Sequence, residues 1–378
     1  MPDKKPVSII DHFSVIADPR IERRKEHKLI DILCIAICST LSGADDFTAM
    51  EAFGHTKEEW LRAFLELPNG IPSHDTFGRV FSLIDNQKFC ECFISWVSAV
   101  TSELGVKLIA IDGKTSRRSY DKSRNKPAIH MVSAFATELG LTLGQVKTEE
   151  KSNEITAIPE LLERLTLSGC IVTIDAMGCQ REIAAKIVDK GGDYVLALKG
   201  NQKELHEDVK LFFDDAAESS FKDTPHDYYE TVEKGHGRIE TRRYFTTDDV
   251  GWLDAGKKWR GLKMIGMVES EREIGDSKSV ERRYYIGSVE NNAKVFGMAV
   301  RNHWAIENKL HWSLDVMFRE DDSRIRIGNA SGNMAILRHM ALNILRQEKT
   351  SKRGVKTKRL QAGWDEGYLV KLLGLLKF

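Results

Sequence analysis

Residues 107–119, KLIAIDGKTSRRS, form the stretch around which this sequence is organised. A short β-branched run ends at Asp112, and Gly113 lets the backbone turn, which predicts a buried strand with an acid at its end. Three basic residues follow directly: Lys114, Arg117 and Arg118. An acid beside a basic cluster suggests a metal-holding carboxylate next to a track for phosphates. Taken alone, the stretch fits an ordinary strand with an Asp-Gly turn at least as well.

A second stretch repeats this pattern and strengthens the metal hypothesis. Residues 170–176, CIVTIDA, again place β-branched residues before an acid, Asp175. A third acid, Glu307, lies within HWAIENKLHWSLD (303–315), which has helical spacing. Two aspartates on strands and one glutamate on a helix are the carboxylate set of two-metal phosphoryl-transfer sites.

The third acid has competitors nearby in the sequence. They are Asp315, Glu320, Asp321 and Asp322. Glu307 is preferred because it lies in mid-helix among apolar residues, where a carboxylate is costly in free energy unless a partner such as a metal ion binds it. The acids after Arg319 instead resemble a solvated helix end.

Composition limits the class of protein. The 378 residues suffice for two or three domains, and 56 basic residues balance 56 acidic ones, which argues against a generic basic coat for nucleic acid. Basic residues are nevertheless concentrated at 116–126 and 346–359. The six cysteines have no zinc-ribbon spacing and predict buried thiols in a reducing compartment. No stretch predicts a membrane span or a signal peptide, so we expect a cytoplasmic protein.

Hydrophobic periodicity divides the chain into four parts. Residues 1–100 predict a helical domain, with Ser73 as an N-cap. Residues 101–200 follow the order β-β-β-α-β-α-β, that of a ribonuclease H-like core, in which the first and fourth strands are neighbours and bring Asp112 and Asp175 together. A β-rich insertion is predicted at 201–289. The core resumes with helices at 290–348, and a basic tail follows at 349–378.

The helix around Glu307 also permits a different metal. His303, Glu307 and His311 are each four residues apart and share one face, so they could ligate zinc. The order differs from the His-Glu-x-x-His motif of metalloproteases, and no fourth ligand is evident. Trp304 and Trp312 flank this face as core anchors or as platforms for an unpaired base.

Nine stretches resemble the transposases of bacterial insertion sequences with an Asp-Asp-Glu site, within them the H-repeat-associated branch. They cover most of the chain: DHFSVIADPR, GIPSHDTFGRV, IAIDGKTSRRSYDKS, EKSNEITAIPELL, TIDAMGCQ, GGDYVLALKGNQ, GHGRIETR, YYIGS and RNHWAIENKLHWSLDVMFREDDSRIRIGNA. The resemblance implies an α/β fold with a helical leading domain, a ribonuclease H-like core with a mixed sheet and a β-rich insertion. It assigns Asp112, Asp175 and Glu307 as catalytic, metal-binding residues.

The expected activity is Mg²⁺-dependent cleavage and transfer of DNA strands, with Mn²⁺ as a substitute ion. The expected partners are the element's terminal inverted repeats and target DNA, bound by a homodimer. The candidate DNA contacts are Lys114, Arg117, Arg118, Lys199, Asn201, Arg238, Arg301, His303, Lys309 and His311. For Arg238 and its neighbours, alternating charge on solvated strands is the simpler interpretation.

The sequence departs from the family pattern around Glu307. Related transposases carry Tyr, Arg and Lys at fixed spacings from the glutamate, where this chain has Val300, His303 and Leu314. His303 is the candidate replacement for the arginine, and His311 or Lys309 for the lysine. Three alternatives therefore stay open: an inactive relic copy, a DNA-binding protein without catalysis, and a structure-specific nuclease on the same fold.

Overall fold

The computed structural model describes residues 9–102, 104–120, 127–148, 154–235 and 237–374. Parts of three predicted features lie outside these ranges. They are the N-terminal residues 1–8, the end of the first basic run at 121–126, and residues 375–378 of the C-terminal segment.

The leading part of the chain is helical, as predicted. Its helices are α1 (Ile9–Phe13), α2 (Leu29–Leu41), α3 (Phe47–Thr56), α4 (Glu58–Leu61), α5 (His74–Leu83) and α6 (Asn86–Thr101). Side-chain oxygens cap three of them: Asp46 accepts from the Ala49 N–H, Ser73 from Thr76 and Asp85 from Lys88. Each cap satisfies a backbone donor that the first helical turn leaves unpaired, and Ser73 is the N-cap predicted from the sequence.

The next part forms one half of a large sheet. Its elements are β1 (Leu108–Thr115), β2 (His130–Ala136), β3 (Leu141–Lys147), α7 (Glu154–Glu163), β4 (Ile171–Ile174), α8 (Arg181–Asp189) and β5 (Asp193–Leu198). The order is β3-β2-β1-β4-β5, with β1, β2 and β3 antiparallel and β1, β4 and β5 parallel. This is the mixed sheet of a ribonuclease H-like core, and the prediction is confirmed.

The predicted β-rich insertion continues the same sheet. It contains α9 (Lys203–Glu218), β6 (Asp227–Gly235), β7 (Arg238–Thr247), β8 (Met264–Ile274) and β9 (Ser277–Gly287). β9 pairs antiparallel with β5, so the full order of the nine strands is β3-β2-β1-β4-β5-β9-β8-β7-β6. The strands near the core are buried on both faces, whereas most of β6 is exposed.

The helices after the insertion return the chain to the core. They are α10 (Ala293–His303), a π-helix (Ile306–His311), α11 (Trp312–Phe318) and α12 (Ala330–Gln347). A regular helix was expected at 295–316, and the π-helical turn in its middle is the difference. α12 packs against α2, α5, α6 and β3. Its buried Asn343 side chain accepts from the Thr142 N–H and donates to the Thr142 carbonyl, which ties the helical part to the sheet.

The C-terminal segment was expected as a basic tail, and its described residues instead form α13 (Val355–Trp364) and α14 (Glu366–Gly374). Lys358 and Arg359 are buried. Arg359 donates to the Thr40 carbonyl and lies 4.2 Å from the Phe318 ring centroid. Arg359 thus satisfies a carbonyl at the end of α2, and Lys358 donates to the Leu345 carbonyl at the end of α12, so both cations contribute to packing. Over the described residues, no helix combines the length and the apolar character needed to cross a membrane.

Candidate active site

Two acids lie side by side at one edge of the sheet. β1 and β4 run parallel with Ile111 opposite Ile174, so Asp112 and Asp175 are the next residue on each strand. The strands preceding them are apolar and buried, which fixes their register because a slip would move the whole apolar set. The predicted adjacency of the first and fourth strands is confirmed, but Asp112 is not at a strand end as predicted, because β1 continues to Thr115 through its pairing with β2.

The π-helix brings a third acid to this edge. Glu307 and His311 lie on it, with the Nδ1 of His311 3.5 Å from a Glu307 oxygen and 3.8 Å from an Asp112 oxygen. One potential ligand atom from each of Asp112, Glu307 and His311 lies within 4.8 Å of the others. π-helical turns are rare and occur often at functional sites. We call Asp112, Asp175 and Glu307 the acidic centre.

Burial makes the charge on Asp112 costly. The side chain of Asp112 is 17% exposed, and this desolvation raises its pKa to about 7, although His311 and the Gly113 N–H act in the opposite direction. Glu307 is half exposed, and its hydrogen bond with His311 lowers its pKa. Asp112 is therefore an under-compensated carboxylate that a nearby cation would stabilise.

Asp175 is oriented differently from the other two acids. Its Oδ1 accepts from the N–H groups of Met177 and Gly178, at 3.0 and 3.3 Å, and so caps the turn after β4. It lines the same cavity of about 390 Å³ as Asp112 and Glu307. Its carboxylate is not part of the group formed by Asp112, Glu307 and His311.

The donor set is suited to a divalent cation. Carboxylate oxygens are ligands for hard ions such as Mg²⁺, while an imidazole also suits softer ions such as Mn²⁺ or Zn²⁺. His303 does not join this set, because its Nδ1 lies 3.0 Å from the Thr173 hydroxyl. The zinc set of His303, Glu307 and His311 is therefore not assembled, and the chemistry of the donors favours a hard cation.

Lys114 is engaged within the protein, contrary to its predicted role at phosphates. Its Nζ lies 2.7 Å from Asp315, 3.4 Å from Glu320 and 3.2 Å from Asp321. Its side chain is 11% exposed. Burial lowers the pKa of Lys114, but the nearby carboxylates outweigh this effect and raise the pKa overall. Lys114 thus connects the strand of Asp112 with the residues that follow Glu307, and Asp315 is occupied by this contact.

The remaining predicted contacts are distributed around this edge. Arg117 and Arg118 are 83% and 54% exposed and pair with Asp321 and Asp322. The Asn201 side chain donates to the Ala176 carbonyl at 2.6 Å, so it holds the turn after Asp175. Three others are exposed: Lys199, Arg301 and Lys309. Arg238 and Arg301 line a separate cavity beyond Trp304.

Sequence reasoning missed a pair of residues beside Asp112. His130 and Glu154 form a 2.8 Å contact, and a Cβ atom added to Gly113 would lie 2.1 Å from the Glu154 carboxylate and 2.3 Å from the His130 ring. Gly113 is therefore required for close packing, and it lies within β1 opposite Val132 and not at the predicted turn. Gly113 was interpreted as a turn residue alone, and nothing in the spacing of His130 and Glu154 indicates this contact.

Comparison with known proteins identifies the family of this chain. The transposase DDE domain model matches residues 104–344, and the DDE_Tnp_1-associated model matches residues 10–97. The H repeat-associated putative transposase YhhI of Escherichia coli (strain K12) is 46% identical over 370 residues, 97% of each chain. The putative transposase YncI of Escherichia coli O157:H7 is 46% identical over 97% of this chain and 94% of that protein.

A piggyBac transposase in a synaptic complex with hairpin DNA aligns over 94% of this chain and 76% of that chain. Its TM-score of 0.40 and identity of 10% are too low to support an argument. The family model covers well over half of the chain, and the relatives cover almost all of it. This chain therefore belongs to the DDE transposase family of DNA-cutting and strand-transferring enzymes, which generally use a divalent metal.

Proposed function

We propose that this chain is the transposase of a bacterial insertion sequence and that it cleaves and joins DNA strands by Mg²⁺-dependent phosphoryl transfer at Asp112, Asp175 and Glu307. The observation that carries the proposal is the register of β1 and β4, which puts Asp112 and Asp175 at one sheet edge facing Glu307. Asp112, Glu307 and His311 can hold a divalent ion without any change of fold.

The metal and the protein would have distinct tasks. Bound divalent ions supply Lewis-acid stabilisation of the charge that develops on the scissile phosphate. Asp112, Asp175 and Glu307 would hold the ions, and the second carboxylate oxygen of Asp175 would be its ligand atom, because its Oδ1 caps the turn. His311 lies between Asp112 and Glu307 and keeps the two acids at a fixed separation. We propose Mn²⁺ as a working substitute, because carboxylate oxygens suit it as they suit Mg²⁺.

DNA is the proposed substrate, both as the element's terminal inverted repeats and as target DNA. The exposed Lys199 lines the cavity of the acidic centre, and the exposed Arg117, Arg118 and Lys309 follow Asp112 or Glu307 closely in the chain, so we propose that all four contact phosphates near the scissile bond. We further propose that two copies act together, one for each end of the element, while associated with the nucleoid.

The proposal is tested with three neutralised acids and one control. Asp112→Asn, Asp175→Asn and Glu307→Gln should each lower Mg²⁺-dependent cleavage of labelled terminal-repeat DNA by about 10³-fold or more, because each removes a metal ligand. DNA binding should hold or tighten, since a repulsive charge is removed. Asp315→Asn is the control, because Asp315 pairs with Lys114. Normal cleavage by Glu307→Gln together with an inactive Asp315→Asn would show that the third acid is wrong.

A second measurement separates a transposase from a nuclease on the same fold. Labelled element ends are incubated with unlabelled target plasmid, and joined products are resolved on a gel. We expect joined products that require Mg²⁺ and all three acids. Cleavage without joining would identify a nuclease, and binding without either reaction a DNA-binding relic.

A further inference from the structure

The inner strands of the extended half of the sheet carry arginines on one face. On β7, Arg238, Glu240 and Arg242 alternate with residues of the opposite face, as the period of two requires. The pairing register adds Arg272 of β8, opposite Glu240, and Arg283 of β9, opposite Val268. This face is covered in part by α10, which contributes Arg301.

These side chains enclose a cavity of about 340 Å³. Five arginines line it, which we call the arginine cavity: Arg238, Arg242, Arg272, Arg283 and Arg301. Two carboxylates, Glu240 and Glu281, line it as well. Even with Glu233, which pairs with Arg242 and Arg301 from outside the lining, five guanidinium groups face three carboxylates and leave an excess of two positive charges.

The internal ion pairs do not use up the donors of these arginines. Glu240 is shared by three of them, at 2.6 Å from Arg242 and 3.7 Å from both Arg238 and Arg272. Glu233, at the rim, is shared by Arg242 and Arg301. Each guanidinium carries five N–H donors, so many remain for a ligand.

The opposite face of the same strands shows that this excess is local. There Arg243 meets Glu230, Glu269 and Glu271, each at 3.1 Å. Arg282 and Lys278 also pair with Glu269 and Glu271, so three cations meet three acids on that side, whereas on the α10 side three arginines share Glu240. Ordinary alternation of surface charge would balance both faces, so the arginine cavity is better explained by an anionic ligand.

The arginine cavity adjoins the acidic centre. Trp304 and Arg283, whose guanidinium carbon lies 5.3 Å from the ring centroid, line both this cavity and the one that contains Asp112 and Glu307. Asn308 faces the arginine cavity, and its neighbour Glu307 faces the acids. A polymer with phosphates at short intervals can therefore reach both cavities at once.

We infer that the arginine cavity binds backbone phosphates of the DNA strand whose neighbouring phosphodiester lies at the acidic centre. The inference rests on the proposed function, because it takes DNA as the ligand of that centre. Arginine suits this role, since its planar fork donates two parallel hydrogen bonds to one phosphate. Such contacts are independent of base sequence and position the strand for the reaction.

The test uses the full chain and a fluorescent DNA duplex of arbitrary sequence, titrated over a series of salt concentrations. Arg238 and Arg272 are 43% and 48% exposed and lie 3.7 Å from Glu240, so Arg238→Gln with Arg272→Gln should leave the fold intact. We expect roughly tenfold weaker binding at low salt and a salt slope lower by about 2, one released counterion for each lost contact. Arg301→Gln removes a guanidinium group from α10 and not from the strands, and it should lower the salt slope by about 1.

Arg260→Gln is the matched control, an exposed arginine outside the cavity that pairs with Asp189 at 3.1 Å. Mn²⁺ titration of the double variant should match that of the unchanged protein, which shows that the acidic centre is intact. The inference is overturned if the double variant and Arg260→Gln bind DNA with the same affinity and the same salt slope. This holds whether or not the unchanged protein cleaves DNA. If the arginine variants lose affinity while the unchanged protein cleaves nothing, the inference stands and the proposed function fails.

Discussion

The acidic centre and the arginine cavity lie on one sheet, and their charges are unbalanced in opposite directions. At the acidic centre, burial raises the pKa of Asp112 to about 7, so the site lacks a cation. In the arginine cavity, five guanidinium groups face three carboxylates, Glu233 included, so the site lacks an anion. A DNA strand that arrives with divalent ions would supply both missing charges. The comparison separates groups without a full set of partners, where we propose that ligand binds, from Lys114 and Arg359, which are compensated within the fold.

The largest effect, on the stability of the fold, should come from replacing Lys114. Lys114→Met leaves Asp315, Glu320 and Asp321 facing one another without their shared partner. We expect a loss of about 3–5 kcal/mol in the free energy of unfolding, measured by urea denaturation. Lys203→Met is the control, since Lys203 is 79% exposed and lies 3.9 Å from Glu207. Equal stability of the two variants would show that Lys114 does not stabilise this group of three carboxylates.

The second effect concerns pH. Asp112 in the metal-free protein keeps its proton up to about pH 7, and a metal ion must displace that proton. Calorimetric titration with Mn²⁺ should give an affinity that rises about tenfold per pH unit below 7 and then levels off. The pKa of Asp112 in the folded protein lies above its ordinary value of 3.8, so the metal-free protein should also lose stability as the pH rises between these two values. Affinity independent of pH would mean that Asp112 is not a ligand.

A smaller effect is expected from Gly113→Ala. The new methyl group would displace Glu154 and His130 beside Asp112, and we expect a loss of about 1–3 kcal/mol in stability. The double variant Gly113→Ala with Glu154→Ala removes the nearer contact and should recover part of that loss. Thermal melting of the single and double variants measures the coupling. Additive losses would show that Gly113 and Glu154 do not interact.

The smallest effect should come from the exposed arginines next to the acidic centre. Arg117→Ala with Arg118→Ala should weaken DNA binding by only a few-fold, about equally for all sequences, and lower the salt slope by at most about 2. Both side chains are more exposed than those in the arginine cavity and already have carboxylate partners. Filter binding with terminal-repeat DNA and with unrelated DNA measures the change in affinity and in salt slope. A loss confined to the terminal repeat would indicate that these residues read bases.

The fold was predictable because its signals are local. The apolar runs that precede Asp112 and Asp175, in the strand order of a ribonuclease H-like core, were sufficient to place the two acids on neighbouring strands, although β1 continues past Asp112 to Thr115. The contact between Lys114 and Glu320 was not predictable, because these residues are far apart in the sequence and meet only in the folded chain. The π-helical turn at Glu307 was missed because a helical period cannot distinguish it from an α-helix. The alternation of Arg238, Glu240 and Arg242 was visible, but the sequence does not show that one face becomes concave.

The central claim is that three acids from distant parts of the chain form one metal centre. The most direct measurement is the anomalous scattering of Mn²⁺ in crystals of the protein bound to terminal-repeat DNA. The account predicts Mn²⁺ in contact with Asp112, Asp175 and Glu307, with the free oxygen of Asp175 as a ligand. Mn²⁺ held by Asp112, Glu307 and His311, with Asp175 bound only to the turn that it caps, would contradict the claim.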